Sequence, residues 1–512
     1  MQAIAVPGPG RWETLADHFP NPLTPEYQAI LGEAFERGYA TVCDNYGLPL
    51  ETIMLRFIDG RPYLRPRARI GGGRPAPKAP DFVVRLLFRT APSMRRAAHR
   101  ADDAMASRRW RAEAGDWYER TRPRWVERNR ALQAVDVDAL GKDALASHLQ
   151  TCRTNALEGY VCHFELHGTD LLPTGVLLSR CRAWGIDADD VLPLLAGHSP
   201  ATRLAGGFDT DFEWRSVTGY DLDARTYGEL GNIAQRVKDA PERAPSGSDE
   251  QLVRAKVPPG AITEFQEWLA DARATCGVRD DNGAILGAWP IGLLRRAMLA
   301  TGRRLGFGEP GLAVELTVEE LIARLTGASE PSAADAAARS AERSRLAAVA
   351  APRFVGPDEP LPATRVMPQN MAAFTDALLV TRELNTTKTA ATGLHGTGVG
   401  DGAATGRAVV AHDANDAILR LEPGDILVAR LTTPAYNAVL TYAGGLVVVE
   451  GGLVSHAAVI ARELGLPTVI GVADAMTILE GSIVTVDPAA GTVAVRRERA
   501  LGTSDLGTTP RR

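Results

Sequence analysis

The clearest hydrophobic pattern lies near the C-terminus of the chain. A β-branched run that ends at Val448-Val449 is followed by the pair Gly451-Gly452, and small and aliphatic residues then predominate up to Gly465. An apolar run that ends in glycines predicts a buried strand entering a tight turn. Ser455 is a favourable N-cap residue, and a glycine followed closely by a proline is the usual order at a helix end. The pattern therefore predicts a strand, a turn and a short helix that begins at His456.

This predicted helix start gives His456 surroundings suited to an anion. Backbone amides at a helix N-terminus are free to bind anions, and a glycine turn lets the backbone approach a ligand closely. An imidazole at such a position can carry a phosphoryl group whose oxygens are held by backbone amides. The alternative is a small structural β/α domain with an incidental histidine.

A sequence motif around His456 identifies a possible family. The segment GG-x-x-SHAA-x-x-ARELG-x-P at 451–467 resembles the phosphohistidine domain, also called the swivelling or mobile domain, of the phosphoenolpyruvate-utilising enzymes. Four flanking runs look like strands of the same domain: residues 405–410, 421–429, 467–471 and 481–487. The resemblance covers residues 385–497. It implies that His456 is the phosphorylated histidine and that the phosphoryl group is bound by Gly451, Gly452 and Ser455.

A second candidate site lies in the helical pattern from Leu140 to Leu178. His163 and His167 stand one helical turn apart on one face, and Asp170 follows three residues later. Glu165 falls on a different face, so the segment is not a zinc-binding HExxH motif. The histidines and Asp170 could line an acceptor pocket in which His167 is the general base. A polar stripe across a helix bundle explains the same residues equally well.

The segment Arg279-Asp280-Asp281-Asn282 offers further polar side chains. Arg279 could clamp a phosphate or a carboxylate, and Asp280 and Asp281 could hold a divalent cation or a substrate hydroxyl. A polar turn with a helix cap is the alternative. The segment resembles one in the middle domain of members of the same family, and both interpretations stay open.

The N-terminal region predicts a β-hairpin. Two short β-like runs, at 52–58 and 61–64, flank an Asp-Gly pair that is typical of a tight turn. Together with the preceding Pro-Leu-Thr-Pro at 22–25, the hairpin resembles the start of the acceptor domain of rifampicin-phosphotransferase-like proteins. The resemblance implies that this part of the chain binds the acceptor.

The composition excludes several classes of protein. With 45% hydrophobic and 23% charged residues and a net charge of −5, the chain is typical of a globular protein and gives no support to a nucleic-acid or membrane-surface role. An arginine-rich, aromatic stretch at 81–130 could suggest single-stranded nucleic acid, but acidic residues interrupt it and favour an amphipathic helix pair. Five scattered cysteines and the lack of a signal peptide predict a cytoplasmic protein without a metal site.

The expected fold is multidomain α+β. We expect a large, mainly α-helical acceptor-substrate domain at 1–384 with a small N-terminal β-hairpin region, followed by a glycine-rich hinge at 385–402. A small β/β/α swivelling phosphohistidine domain at 403–497 and a disordered tail at 498–512 complete the predicted organisation. Within the hinge, Gly398-x-Gly400-x-x-Ala403 superficially resembles a dinucleotide fingerprint, but a strand is predicted after it where that fold requires a helix.

The predicted function follows from the family resemblance. The N-terminal part lacks a P-loop and shows no nucleotide-binding pattern, so we expect a separate ATP-grasp subunit, holding ATP and Mg²⁺, to phosphorylate His456. The phosphoryl group would then pass to a hydroxyl of a small organic acceptor, with dehydration or condensation as a conceivable net reaction. A phosphocarrier or regulatory relay protein and a catalytically silent ligand-binding module are the alternatives.

Overall fold

The computed structural model describes residues 6–16, 18–71, 80–198, 213–231, 233–359, 363–386 and 393–496, apart from the side chains of residues 234, 238, 279 and 280. Sixteen of its α-helices precede residue 386: α1 (Pro25–Asn45), α2 (Asp81–Thr90), α3 (Pro92–Ser107), α4 (Arg109–Asp116), α5 (Arg122–Gln133), α6 (Lys142–Glu165), α7 (His167–Ala183), α8 (Ala188–Val191), α9 (Ile233–Lys238), α10 (Glu250–Lys256), α11 (Ile262–Thr275), α12 (Val278–Asn282), α13 (Trp289–Arg304), α14 (Val318–Leu325), α15 (Ala333–Ala347) and α16 (Gln369–Asn385). The N-terminal region is therefore mainly helical, as predicted.

A small sheet accompanies these helices. Its strands are β1 (Trp12–Thr14), β2 (Leu50–Ile58), β3 (Arg61–Ala68) and β4 (Phe354–Val355), in the order β2-β3-β1-β4. The predicted hairpin is confirmed, because β2 and β3 pair antiparallel around Asp59 and Gly60. Both turn residues have positive φ angles, of 50° and 75°. Such angles match the twist of a tight hairpin turn.

The helical core is built around α1, α6 and α13. Tyr27 of α1 and Tyr160 of α6 are buried, and their hydroxyl oxygens are 2.8 Å apart. The helix predicted from Leu140 to Leu178 is two helices, because α6 ends at Glu165 and α7 begins at His167. No helix in the described ranges combines the length and apolar character needed to cross a bilayer.

The C-terminal part contains a seven-stranded sheet with three short helices. Its strands are β5 (Thr397–Val399), β6 (Ala404–Ala411), β7 (Ile426–Ala429), β8 (Gly445–Val448), β9 (Thr468–Ile470), β10 (Ile483–Asp487) and β11 (Thr492–Arg496), and its helices are α17 (Ala414–Arg420), α18 (Asn437–Leu440) and α19 (His456–Glu463). The order is β11-β10-β6-β7-β8-β9-β5, and β6 to β9 run parallel. Every residue of β7 and β8 is buried, as expected for central parallel strands covered on both faces.

Two features differ from the predicted domain organisation. The predicted hinge, 385–402, overlaps regular structure: α16 extends to Asn385, and β5 pairs with β9 as an edge strand. Residues 387–392 of the hinge, and residues 497–512 with the predicted tail, lie outside the described residues. The glycine-rich composition gave no sign of β5 because its pairing partner is about 70 residues away in the chain, as the pair Thr397 and Ile470 shows.

The second difference is a segment of the N-terminal region that packs on the C-terminal sheet. We call residues 213–231 and 233–247 the strap. Its Val217, Ile233 and Val237 are buried in the same hydrophobic cluster as Leu427 of β7 and Leu446 of β8. The core of the C-terminal domain is therefore completed by residues that the sequence analysis assigned to the helical domain.

Candidate active site

His456 lies where two neighbouring parallel strands end. The loop after β7 and the loop after β8 both leave the carboxyl edge of the sheet, and the second of them leads to His456, the first residue of α19. The side chain of Ser455 accepts a hydrogen bond from the backbone N–H of Ala458, which confirms the predicted N-cap. Gly465, with φ of 54°, follows the helix end at Leu464. The predicted strand, turn and helix are all present.

Both ring nitrogens of His456 have partners in the segment that links β7 to β8. The hydroxyl of Thr432 is 2.9 Å from Nδ1, and the side-chain oxygen of Asn437 is 2.6 Å from Nε2. Thr432 is buried, whereas His456 and Asn437 are half-buried. The sequence analysis missed both partners. The available signal was the position of Thr432 shortly after the buried strand β7, at the sheet edge where parallel α/β folds place ligands.

The glycine pair has two different environments. Gly451 has φ of 154°, and a Cβ atom there would lie 3.0 Å from the Ser455 hydroxyl oxygen. Gly452 meets the helical domain, because a Cβ atom there would lie 2.0 Å from the carbonyl oxygen of Leu384, near the end of α16. The predicted phosphate ligands thus lie beside His456: Gly451, Gly452 and Ser455. In this arrangement the backbone of α16 covers Gly452.

Other residues of the same loop and helix dock the site on the helical domain. Leu453 and Val454 pack on a cluster that contains residues of α7, α11 and α16. The guanidinium of Arg462 is buried, donates to the carbonyl oxygen of Leu453 at 2.6 Å, and has its pKa lowered to about 10 by that burial. The carboxylate of Glu463 accepts from the backbone N–H of Gly197 at 3.0 Å. Arg462 therefore fixes the loop, and Glu463 joins α19 to the helical domain.

The second candidate site contains a continuous chain of polar contacts. The hydroxyl of Tyr39 is 2.8 Å from Nδ1 of His167, and the Nε2 atoms of His167 and His163 are 3.2 Å apart. Nδ1 of His163 contacts the side-chain oxygen of Asn282. With both imidazoles neutral, an oxygen that only accepts gives one order: Tyr39 donates to His167, His167 to His163, and His163 to Asn282. The structure thus joins the histidine pair to the polar segment at 279–282.

The acidic residues predicted nearby have structural partners. Asp281 accepts hydrogen bonds from the indole N–H of Trp117 and from Arg122, both at 2.9 Å. Asp170 is buried. Burial, with Asp281 and Asp170 among the nearby charges, raises the pKa of Tyr118. The side chains of Arg279 and Asp280 lie outside the described residues. No group of three His, Cys, Asp or Glu side chains in the described ranges is arranged to hold a metal ion.

The surroundings of the two candidate sites include different parts of α7. His167 is its first residue, whereas Leu453 and Val454, next to His456, pack on the cluster that includes Leu177 and Cys181 near its other end. At a rise of about 1.5 Å per residue, His167 and Leu177 lie about 15 Å apart along the helix axis. In this arrangement His456 is docked away from the histidine pair.

Comparison with known proteins finds similarity in the region around His456. Residues 421–491 match the family model of the PEP-utilising enzyme, mobile domain. The chain is 46% identical over 99 residues to a pyruvate kinase of Lactobacillus delbrueckii subsp. bulgaricus, covering 19% of this chain and 17% of that protein. It is 43% identical over 103 residues to a phosphoenolpyruvate synthase of Aeropyrum pernix, covering 19% and 13%. It is 39% identical over 103 residues to the uncharacterized phosphotransferase YvkC of Bacillus subtilis, covering 20% and 12%. The matches thus span less than a fifth of each of these relatives.

Proposed function

We propose that this chain, a member of the phosphoenolpyruvate-utilising enzymes through its C-terminal mobile domain, is a phosphotransferase that carries a phosphoryl group on His456. The observation that carries the proposal is the setting of His456 at the N-terminus of α19, beside a glycine loop and with both ring nitrogens held by side chains. A helix N-terminus stabilises the negative charge that a phosphoryl group brings.

The first half of the reaction loads the histidine. The lone pair of a ring nitrogen attacks the phosphorus of the donor, the bond between phosphorus and the donor oxygen breaks, and that oxygen keeps the electron pair. We assign the donor to a separate ATP-grasp subunit that holds ATP and Mg²⁺, since the sequence shows no nucleotide-binding pattern of its own. The match of residues 421–491 to the mobile domain of PEP-utilising enzymes supports phosphotransfer as the chemistry.

The second half transfers the phosphoryl group to a hydroxyl of a small organic acceptor. The acceptor oxygen attacks phosphorus, and the phosphorus–nitrogen bond breaks with its electron pair returning to His456. We assign the acceptor proton to the chain of Tyr39, His167 and His163. Because Tyr39 covers Nδ1 of His167, the proton passes first to the Tyr39 oxygen while the Tyr39 proton moves to His167. Such a phosphorylated hydroxyl is a good leaving group, so a net dehydration or condensation is included in the proposal.

This cycle requires the mobile domain to leave its docked position. The contacts that hold it include the glycine loop against α16, the packing of Leu453 and Val454, and the hydrogen bond between Glu463 and Gly197. Because His456 is docked on residues away from the histidine pair, a movement of the whole domain delivers the phosphoryl group more readily than a loop adjustment.

Mass spectrometry of the intact protein tests the proposal. The protein is incubated with ATP–Mg²⁺ or phosphoenolpyruvate, alone and with host-cell extract, and His456→Ala is the control. We expect one acid-labile, base-stable phosphate that depends on His456 and on the extract. Labelling of the purified protein alone would move the nucleotide site into this chain. Absence of His456-dependent labelling under every condition would contradict the proposed phosphotransfer.

A further inference from the structure

The two nitrogens of His456 face different surroundings. Nδ1 is held by Thr432, which is buried, whereas Nε2 is held by Asn437, which is half-buried. A phosphoryl group adds three oxygens that need space and hydrogen-bond donors. If His456 carries that group, as the proposed function requires, Nε2 is the nitrogen whose partner is the less buried of the two. Asn437 thus occupies the position that the phosphoryl group must take.

The contacts also fix where the ring proton lies. A neutral imidazole has one N–H, and the side-chain oxygen of Asn437 can only accept, so Nε2 carries the proton and the hydroxyl of Thr432 donates to Nδ1. Nε2 then has no lone pair with which to attack phosphorus. The structure holds His456 in a tautomer that cannot react at its accessible nitrogen.

We propose that Asn437 is a positioning residue that shields Nε2 of His456 before phosphorylation and donates a hydrogen bond to the phosphoryl group afterwards. When the Asn437 side chain turns away from Nε2, that nitrogen releases its proton to solvent, and Nδ1 takes up a proton from solvent and donates it to Thr432. The Nε2 lone pair then attacks phosphorus, the donor oxygen leaves with the electron pair, and the Nδ1 proton stays in place.

The side chains at positions 432 and 437 are suited to this change of the His456 tautomer. A hydroxyl and a carboxamide each offer both a donor and an acceptor, so Thr432 and Asn437 can hold either tautomer of His456. A carboxylate at residue 437 would only accept, and would fix the proton on Nε2 and repel an incoming phosphoryl group. The proposal therefore predicts opposite effects for removal of the amide and for its replacement by a carboxylate.

The first measurement uses the unphosphorylated protein and does not depend on phosphotransfer. Long-range ¹H–¹⁵N spectra of protein labelled at histidine report which nitrogen of His456 is protonated. We expect the Nε2–H tautomer in the wild type, a mixture of tautomers in Asn437→Ala, and retention of Nε2–H in Asn437→Asp. Asn415→Ala, on α17, is the matched amide control. A wild-type spectrum with the proton on Nδ1, or an unchanged spectrum in Asn437→Ala, overturns the proposal.

The second measurement loads His456 chemically with potassium phosphoramidate, so that no partner subunit is needed. We expect Asn437→Ala to be labelled about two- to tenfold faster and to lose its phosphate faster by a similar factor, which is the effect of one hydrogen bond. Asn437→Asp should be labelled at least about tenfold more slowly, because its carboxylate repels the phosphoryl group. Wild-type rates in both variants overturn the role of Asn437. If His456→Ala is labelled as fast as the wild type, the result counts against the proposed function. The tautomer spectra still decide the role of Asn437 in that case.

Discussion

Gly452 in the loop before α19 lies directly against Leu384 in α16, so that a Cβ atom on Gly452 would be 2.0 Å from the Leu384 carbonyl oxygen. No residue with a Cβ atom fits at that distance, because real Cβ atoms do not approach a carbonyl oxygen so closely. The contact joins the loop that carries His456 to the last turn of a helix in the N-terminal region. The close approach of the two parts at this point therefore requires glycine at position 452.

Gly452→Ala should weaken the docking without unfolding either part. The added methyl group must push the loop away from α16, and Leu453 and Val454 then lose their packing on α7 and α11. We expect hydrogen–deuterium exchange to rise in residues 380–386 and 450–456 and to stay constant in β7 and β8. Gly260→Ala is the control, since nothing lies within 4 Å of a Cβ atom there. Equal exchange in both variants would show that the loop does not need this contact.

The strap gives a second prediction, about which residues belong to the mobile domain. Ile233 is buried among residues of β7, β8 and α18 although it precedes the predicted hinge by about 150 residues. Ile233→Ala should cost about 2–5 kcal/mol of unfolding free energy, the usual range for such a truncation in a core. We expect the loss in the C-terminal sheet, measured as faster exchange of the amides of β7 and β8. If only the strap itself exchanges faster, the strap is an accessory to that domain and not part of its core.

The elements around His456 show which parts of the structure could be predicted from the sequence. The strand, the glycine turn and α19 were predicted because their signals are local: Ser455 caps the helix and Gly465 ends it. The partners of His456 could not be predicted, because Thr432 and Asn437 reach it only through the pairing of β7 with β8. The strap was missed for the same physical reason, since its apolar residues pack on strands about 200 residues further along the chain, as Ile233 and Leu427 do.

Tyr39→Phe tests the second candidate site. The hydroxyl of Tyr39 is the outer member of the chain that continues to His167 and His163, so its removal should slow proton transfer from the acceptor by about 10²- to 10⁴-fold. Loading of His456 should be unaffected. The measurement is the rate at which phosphorylated protein loses its phosphate to a small-molecule extract of the host cell.

The matched control for this experiment is Tyr63→Phe. The hydroxyl of Tyr63 donates to the carbonyl oxygen of Pro352 at 2.8 Å, in the small N-terminal sheet and apart from both candidate sites. Both variants lose one hydrogen-bonded hydroxyl, so a difference between them reports the position of Tyr39. If Tyr39→Phe transfers its phosphate as fast as Tyr63→Phe does, the histidine pair is a polar stripe within the helix bundle and not an acceptor site.

The anchor of the strap on the helical domain predicts a dependence of stability on pH. Asp221 accepts hydrogen bonds from the backbone N–H and the hydroxyl of Thr24, the N-cap residue of α1. Burial, followed by the charge of Asp223, raises the pKa of Asp221 from 3.8 to about 7, against the lowering effect of the Thr24 bonds and Arg343. Between these two pKa values the native protein keeps a proton that the unfolded chain has released. The free energy of unfolding therefore falls as pH rises through this window.

Comparison with Asp221→Asn isolates that effect. The unfolding free energy of the wild type, relative to that of the variant, should fall by up to about 1.4 kcal/mol per pH unit between about pH 4 and pH 7 and stay constant above it. Urea denaturation of both proteins at pH 5, 6, 7 and 8 measures the difference, with Asp358→Asn as a control at a side chain that is 89% exposed. A difference that does not change with pH would mean that Asp221 stays ionised at the N-terminus of α1. In that case the positive end of the helix dipole, together with the two bonds from Thr24, outweighs the cost of burying the charge.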